Sequence, residues 1–204
     1  YNNVPQTFWL KVRNELGSAF IPFFVNTYVE VTGQMLSGLP VGVSWDLVTE
    51  GAERWAREHA GELITGLVDH TQQSVREILD RVRSSVGDFF GSAMTRGELE
   101  ESIAHLFGPA RAEAIAITEV TRAVTEAEIA VGKELHSEGI DMTALWKTRN
   151  DDLVCPICGP LNGKKADRYS ESREPYWISP VKGDEIQPPA HPRCRCWISW
   201  ELPK

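Results

Sequence analysis

The four cysteines of this chain form two close pairs in its last quarter. Cys155 and Cys158 make the first pair, Cys194 and Cys196 make the second, and His191 precedes the second pair by three residues. Tetrahedral zinc is bound by thiolates and imidazoles, and a Cys-x-x-Cys turn presents two such ligands at one point. The spacing therefore predicts a single metal site to which both pairs contribute.

Five donors compete for the four positions of that site. We place the four cysteines first, and second a set in which His191 replaces Cys194 or Cys196. Sulfur-rich sites select zinc or iron, and the spacing fits no iron-sulfur motif, so the expected cofactor is a structural Zn²⁺. Without a metal, the same cysteines would form two disulfides or remain free buried thiols.

A catalytic zinc site is the alternative that the sequence argues against. Zinc deaminases carry His-x-Glu ahead of Pro-Cys-x-x-Cys, and this chain has His136 and Glu138 before Cys155. Val154 stands where the proline belongs, and the sequence has no HExxH, GxSxG or phosphate-binding glycine loop. We therefore expect the protein not to be an enzyme.

Charge is unevenly distributed along the chain, whose formal net charge is -8. Residues 146–204 carry 10 Lys and Arg against 8 Asp and Glu, whereas residues 1–145 carry 11 against 21. Affinity for nucleic acid comes largely from basic side chains that displace counterions. The acidic part therefore argues against sequence-specific DNA binding, while the weakly basic part permits a loose contact with DNA. No run of about 20 apolar residues predicts a membrane span.

Residues 1–145 are predicted to be helical. A long helix over residues 110–138, rich in Ala and Glu, is expected to end at Gly139. Apolar residues at three- and four-residue intervals between residues 63 and 86 predict a second long helix. A short apolar helix that contains Phe107 is expected to close at Gly108-Pro109.

Aromatic residues near the N-terminus predict two further helices. The first contains Phe8 and Trp9, and the second contains Phe23, Phe24 and Tyr28. We expect their aromatic faces to form part of a core, the alternative being an exposed surface that docks a larger partner.

After Gly139 the pattern is that of short strands and turns. Residues 144–149 predict a strand, Leu161-Asn162-Gly163-Lys164 predicts a turn, and residues 194–200 predict a final strand that would place both of its cysteines on one face. A module of about 60 residues with few aliphatic side chains needs a staple, because its buried apolar area scarcely offsets chain entropy. The expected fold class is mainly α: a helical N-terminal region followed by a small irregular α+β module, residues 146–200, held by zinc.

Three segments in this order resemble the phage Mu F-like minor head proteins. They are Asp151-Asp152-Leu153-Val154-Cys155-Pro156-Ile157-Cys158, Leu161-Asn162-Gly163-Lys164 and Pro188-Pro189-Ala190-His191-Pro192-Arg193-Cys194-Arg195-Cys196. In the helix before them, residues 114–123 are similar to the family's Ile-Ala-Arg-Thr-Glu stretch, with Ile117 in place of the usual arginine. The resemblance covers residues 100–200. Besides the cysteines and His191, it assigns motif positions to Thr118, Glu119 and Gly163.

The resemblance implies a non-catalytic minor head protein of a tailed bacteriophage or prophage. Such a protein would lie in the virion, inside the capsid near the portal, and in the host cytoplasm during assembly. Its helical residues 1–95 would contact the portal, other head proteins or a scaffold. Its Mu F-like domain would span residues 96–204, with a loose contact with packaged DNA left open. Thr118 and Glu119 would contact the C-terminal module, the alternative for Glu119 being an active site.

Two other functions remain open at this point. A toxin or nucleic-acid-processing enzyme delivered with the phage genome would need an open metal position or a pocket near Glu119 and His136. A zinc-ribbon adaptor would instead bind host proteins. A small-molecule ligand is not expected. Because the sequence begins with Tyr1 rather than Met, we expect a longer parent protein.

Overall fold

The computed structural model of the chain describes residues 5–37, 45–87 and 108–202. Three long helices lie in these ranges: α1 (Gln6–Leu36), α2 (Trp45–Gly87) and α3 (Pro109–Ser137). After α3 come five short strands, β1 (Thr143–Lys147), β2 (Arg168–Tyr169), β3 (Pro175–Ile178), β4 (Glu185–Ile186) and β5 (Trp197–Glu201), and a 3-10 turn at Gly159–Leu161. The protein is therefore mainly helical with a small strand-containing C-terminal part, as the sequence predicts. No helix in the described ranges is both long and apolar enough to cross a membrane.

Helix α3 agrees with its prediction to within one residue at each end. It begins at Pro109, where a missing N–H costs nothing because the first turn has no intrahelical acceptor for it. It ends before Gly139, whose φ of 79° is the left-handed conformation that glycine adopts freely. The N–H of Ile140 then donates to the carbonyl of Leu135 at 2.8 Å, which closes the helix.

The prediction of two N-terminal helices is wrong, because α1 is one continuous helix of 31 residues. Pro22 lies inside it and removes one hydrogen-bond donor from the helix interior. Packing on both sides of Pro22 compensates, since Trp9 before it and Phe24 and Tyr28 after it are buried. Three of the five aromatic residues named in that prediction thus belong to the core, whereas Phe8 and Phe23 are 50% and 39% exposed.

Helix α2 is longer than the apolar stripe that predicts it. Ile64 and Val68 of that stripe are buried, and alanines at four-residue intervals extend the buried face toward the start of the helix: Ala52, Ala56 and Ala60. The side chains of the later stripe residues, Val75 to Val86, lie outside the described part. So do residues 88–107, which include the short helix predicted around Phe107.

The chain divides into two compact units. One comprises Tyr1–Pro22 and Arg54–Glu113, and the other comprises Phe23–Glu53 and Ala114–Lys204. The second unit holds the whole C-terminal module together with α3 from Ala114 onward. The domain boundary predicted between residues 95 and 96 lies outside the described residues and stays a prediction.

Two small antiparallel sheets form the C-terminal module. Strand β1 pairs with β5, which places Trp146 opposite Ile198, and β3 lies between β2 and β4. Trp146 meets the ring of Trp177 edge-on, with centroids 5.3 Å apart, a contact worth about 0.5–1.5 kcal/mol beyond its burial. The same core cluster contains three of the four cysteines: Cys158, Cys194 and Cys196. The thiols are therefore part of the small hydrophobic core.

The final strand begins later than predicted. Strand β5 starts at Trp197, so Cys194 and Cys196 precede it in a loop and do not lie on the strand. The reason is that helix α3, and not strand β1, binds the backbone of this loop. The last residue pair of the ladder is Lys147 with Trp197.

Helix α3 packs closely on β5 at Gly132. The indole N–H of Trp200 donates to the backbone carbonyl of Glu128 at 2.8 Å. A β-carbon at Gly132 would lie 2.1 Å from the Trp200 ring, well inside any real contact distance. Glycine at this position therefore lets the indole lie against the helix backbone.

We expect Gly132→Ala to destabilise the fold by about 1–3 kcal/mol, because the added methyl group overlaps a rigid ring. Gly66→Ala is the matched control, since nothing lies within 4 Å of the corresponding β-carbon in α2. It should be neutral or stabilise by up to about 1 kcal/mol, because alanine favours helix more than glycine does. Urea denaturation followed by tryptophan fluorescence measures both. Equal stability of the two variants would contradict the packing of Trp200.

Candidate metal centre

Two loops bring the predicted donors together. The first turns through Cys155 and Cys158, where the N–H of Gly159 donates to the carbonyl of Cys155 at 2.9 Å. The second turns between His191 and Cys194, where the N–H of Cys194 donates to the carbonyl of His191 at 3.1 Å. Each turn is the short, locally bonded kind that sets two side chains at one point.

An ion pair at the surface joins the two loops. The guanidinium of Arg195 donates to both carboxylate oxygens of Asp151, at 2.7 and 2.8 Å. These hydrogen bonds lower the pKa of Asp151 below its ordinary value. Asp151 also accepts the N–H of Leu153 at 3.1 Å, which shapes the approach to Cys155. The pair thus fixes the relative position of the loops at their outer edge.

The donor atoms form two triads that share Cys158. The Sγ atoms of Cys155 and Cys158 and Nε2 of His191 lie within 4.8 Å of one another, and so do the Sγ atoms of Cys158, Cys194 and Cys196. The sulfurs of Cys158 and Cys194 are 3.9 Å apart. Two sulfurs on one tetrahedral zinc lie about 3.8 Å apart, so this spacing suits a common ion. The structure thus brings the five predicted donors into two adjacent triads that share one cysteine.

His191 is oriented as a metal ligand by its second ring nitrogen. Its Nδ1 lies 2.8 Å from the carbonyl oxygen of Pro192, which can only accept, so Nδ1 carries the proton. In the neutral ring Nε2 then presents its lone pair, 3.0 Å from Cys155 Sγ and 3.5 Å from Cys158 Sγ. A carbonyl partner of this kind fixes the tautomer of many metal-binding histidines.

The thiols of the cluster differ in pKa. Hydrogen bonds from the neighbouring thiols of Cys158 and Cys196 lower the pKa of Cys194. The hydrogen bond between Cys158 and Cys194 in turn raises the pKa of Cys158. Burial raises the pKa of Cys155, but backbone N–H groups, including that of Cys158 at 3.3 Å, outweigh it and lower that pKa. The loops thus supply hydrogen-bond donors that stabilise thiolates, the form in which cysteine binds metals.

The indole of Trp146 is placed beside the cluster. Its N–H is buried and has no hydrogen-bond partner of normal geometry among the described residues. It lies next to the sulfur of Cys196. A hydrogen bond from Cys158 and the nearby indole N–H of Trp146 lower the pKa of Cys196, but Cys194 and burial together raise it to about 12. Conversion of Cys196 to a thiolate would give the buried N–H an acceptor, which fits a metal-bound form.

Two threonines on helix α3 hold the second loop. The hydroxyl of Thr118 accepts the N–H of Arg193 at 2.9 Å, and the hydroxyl of Thr121 donates to the carbonyl of Cys194 at 2.6 Å. Arg193 has a φ of 63°, a left-handed conformation that costs free energy in a residue other than glycine. The threonines therefore stabilise the turn that presents Cys194.

Glu119 and His136 lie apart from the donor cluster. Glu119 is buried and forms an ion pair with Arg122 at 3.5 Å. His136 is half exposed, and its Nδ1 lies 2.6 Å from a carboxylate oxygen of Asp141. In the described part of the chain, neither residue belongs to a group of side chains close enough to hold a metal.

Gly163 occupies the turn where the sequence predicts it. Its φ is 77°, and its N–H donates to the carbonyl of Trp146 at 2.7 Å. A β-carbon there would meet no atom within 4 Å, so the requirement for glycine is conformational. The turn thus pairs with β1 directly beside the tryptophan that flanks the thiols.

Glu128 is a residue of this region that the sequence analysis missed. Its carboxylate accepts the N–H of Ile198 at 2.8 Å, and the side chain is 6% exposed. Burial raises the pKa of Glu128 to about 8, although the hydrogen bond from Ile198 opposes the rise. The available signal was periodicity, because Thr121, Thr125, Glu128 and Gly132 follow at three- and four-residue intervals and share one helix face.

A family model described as Phage Mu protein F like protein matches residues 84–199, more than half of the chain. The chain belongs to this family. The match confirms the resemblance drawn from the cysteine, turn and helix motifs, and it covers α3 together with both cysteine loops. Membership in the Mu F-like family indicates a phage head morphogenesis protein. No curated protein and no solved structure matches the chain.

We expect Thr121→Val in this Mu F-like protein to cost about 1–3 kcal/mol, because the buried carbonyl of Cys194 loses its donor. Thr125→Val is the matched control on the same helix face. The hydroxyl of Thr125 is buried and has no hydrogen-bond partner in the described ranges, so its removal should be neutral or stabilising. Urea denaturation measures both variants. Destabilisation of equal size in the two would show that the contact with Cys194 contributes nothing.

The buried carboxyl of Glu128 should make stability depend on pH. The folded state holds a proton up to about pH 8, whereas the unfolded chain releases it near pH 4.5. The free energy of unfolding should therefore fall as pH rises through this window, by at most about 5 kcal/mol. Glu128→Gln keeps an acceptor for Ile198 without a charge and should flatten this slope.

Unfolding midpoints measured at several pH values between 4.5 and 8 test the effect of Glu128. The variant Glu138→Gln, at the exposed position directly after the same helix, is the control and should keep the wild-type slope. A Glu128→Gln variant that retains the wild-type slope would assign the pH dependence to other groups.

Proposed function

We propose that this Mu F-like protein is a non-catalytic minor protein of a tailed-phage head, in which one zinc ion holds the C-terminal module together. The family match supports the assignment to the phage head. The convergence of five soft donors from two distant loops supports the zinc ion. Bound zinc would supply structural stability, because a site with four protein ligands leaves no open position for substrate.

Cys155 and Cys158 are common to every candidate set of ligands, and we add Cys194 as the third ligand. Cys158 belongs to both triads of donors, and Cys194 is 3.9 Å from it. The fourth position goes to Cys196 or to His191. Cys196 lies beside the buried indole N–H of Trp146, which its thiolate could accept, while His191 has its tautomer set by Pro192.

Zinc would join parts of the chain that the apolar core joins only weakly. The core of the module contains few aliphatic residues, and Cys158, Cys194 and Cys196 occupy positions inside it. Metal-binding free energy in such a module is folding free energy, since the unfolded chain has no preformed site. The threonines and Glu128 of α3 would then anchor a rigid module on the helix.

A structural role fits the surroundings of the cluster better than catalysis does. The residues that an enzyme would need nearby, Glu119 and His136, form ion pairs elsewhere in the unit that contains the cluster. The cavity beside the thiols has a volume of about 20 Å³, roughly one water molecule. The toxin and adaptor alternatives have no comparable support.

The proposed partners are the portal and other head or scaffold proteins. The acidic residues 1–145 suit protein contacts better than duplex DNA, because like charges repel the phosphate backbone. The weakly basic C-terminal part leaves room for a loose contact with packaged DNA. The protein would lie inside the capsid near the portal, after assembly in the host cytoplasm.

We expect protein purified without chelator to contain about one zinc per chain, measured by atomic emission spectroscopy. Cys158→Ser should remove the zinc and lower the stability of residues 146–202 by several kcal/mol, because one shared ligand is lost. Wild-type protein stripped by a chelator is the control and should show the same rise in proteolysis of this module. A protein without zinc, whose four thiols all titrate or pair as disulfides, would refute the site.

Cobalt substitution identifies the fourth ligand of that site. The sulfur-to-cobalt charge-transfer absorption grows with the number of bound thiolates. Cys196→Ser weakens this absorption if Cys196 is a ligand and leaves it unchanged if His191 is. His191→Ala should shift the energies of the cobalt d-d bands if His191 is a ligand, and should leave them unchanged if Cys196 is.

We also expect the protein in purified phage heads. Mass spectrometry of DNA-filled heads separated from tails should detect it in few copies, and cross-linking should join it to portal protein. Cys158→Ser should reduce its incorporation relative to an exposed control such as Val181→Ser. Protein that is abundant in the lysate and absent from heads would contradict the proposal.

A further inference from the structure

An apolar groove runs along α3 beside the C-terminal module. Its volume is about 720 Å³, and all of the residues that line it belong to one compact unit. The walls are apolar side chains of α1 and α3: Val31 and Met35 on one side, and Ala116, Ile117, Val120 and Val124 on the other. Val120 is 40% exposed there. Such a surface in the folded chain is a candidate for binding a partner.

One end of the groove carries a positive charge. Arg149 and Arg195 line it there. Arg195 is neutralised by its ion pair with Asp151. Arg149 is exposed, and its charge helps to lower the pKa of Asp151, whose carboxylate is hydrogen-bonded to Arg195. The two arginines and Asp151 together leave one net positive charge at this end of the groove, where an acidic group could bind.

The acidic residue in the groove does not oppose this charge at neutral pH. Glu128 lines the groove, but its carboxyl is buried against the N–H of Ile198. Burial raises the pKa of Glu128 to about 8, so the carboxyl is largely protonated at pH 7. An incoming carboxylate therefore meets the charge of Arg149 without a competing negative charge in the groove.

The shape of the groove suits a helix. From Ala116 to Glu128 its α3 wall covers about 18 Å, or a little over three turns. An amphipathic helix that lies in a groove can place apolar anchors at positions i, i+4, i+7 and i+11, which span about 16.5 Å.

We propose that this groove binds an amphipathic helix of another head protein, with its apolar face between α1 and α3 and its acidic end at Arg149. The inference extends the proposed role in the phage head, and the apolar walls of the groove come from α1 and α3 and not from the cysteine loops. Helix binding is measured on the purified chain, so its failure is distinguishable from absence of the protein in heads.

A yeast-displayed library of 16-residue helices tests the groove directly. Apolar residues are fixed at positions i, i+4, i+7 and i+11, and the remaining positions are random. The library is selected on the wild-type chain and counter-selected on Val120→Glu. We expect binders enriched in Asp and Glu at one end, with at least tenfold weaker binding to Arg149→Glu and tenfold weaker binding to Val120→Glu, by fluorescence anisotropy.

Matched controls separate the groove from general surface effects. Val181→Glu and Lys182→Glu change an exposed apolar and an exposed basic residue away from the groove and should leave the affinity unchanged. Circular dichroism shows whether each variant is folded. Replacing the acidic end of a selected peptide with lysines should restore its binding to Arg149→Glu, which a misfolded variant would not show.

Three outcomes would overturn the proposal. One is a selection that yields no binders sensitive to Val120→Glu, or binders without acidic enrichment. Another is the finding that decanoate binds in the groove and displaces every selected helix, which would assign the groove to a small apolar carboxylate. The third is a dimer of the chain, seen by analytical ultracentrifugation and abolished by Val120→Glu, which would assign the groove to a second copy.

Discussion

The convergence of two cysteine loops beside helix α3 is the constraint on which the C-terminal module depends. The module has two sheets of two and three strands, and its core is small. Strands this short bury little surface, so backbone pairing alone leaves such a module marginal. The loops at Cys158 and Cys194 meet inside this core. Whatever joins their sulfurs therefore decides whether the module is rigid.

Helix α3 positions the second loop through contacts that do not involve a metal. Thr118 and Thr121 bind its backbone, Glu128 binds the start of β5, and Gly132 admits Trp200. The three hydrogen bonds among these contacts join residues 70 or more positions apart in the chain. Preorganisation of this kind lowers the entropy lost when a metal binds, because the ligands already lie close together.

The sequence predicts best what local chemistry decides. The spacing of Cys155 and Cys158 predicts a cluster of donor side chains, and the helix before Gly139 is predicted by its period and its glycine stop. Long-range contacts decide the rest. The aromatic pattern near the N-terminus predicts two helices, although packing continues α1 across Pro22. The alternating pattern around Cys194 predicts a strand, because the hydrogen bonds from α3 that form its loop cannot be recognised in the local sequence.

One helix serves two neighbouring surfaces in this unit. The face of α3 that carries Thr121 and Glu128 binds the module, and the adjoining face that carries Val120 and Val124 lines the groove. Cys196 contributes to both, since it belongs to a donor triad and also lines the groove. A change in the cysteine loop therefore moves one end of the groove. Metal binding and partner binding would then be linked through the loop that contains Cys196. A partner that binds more tightly to one position of this loop also favours the metal-bound or metal-free form that has the loop in that position.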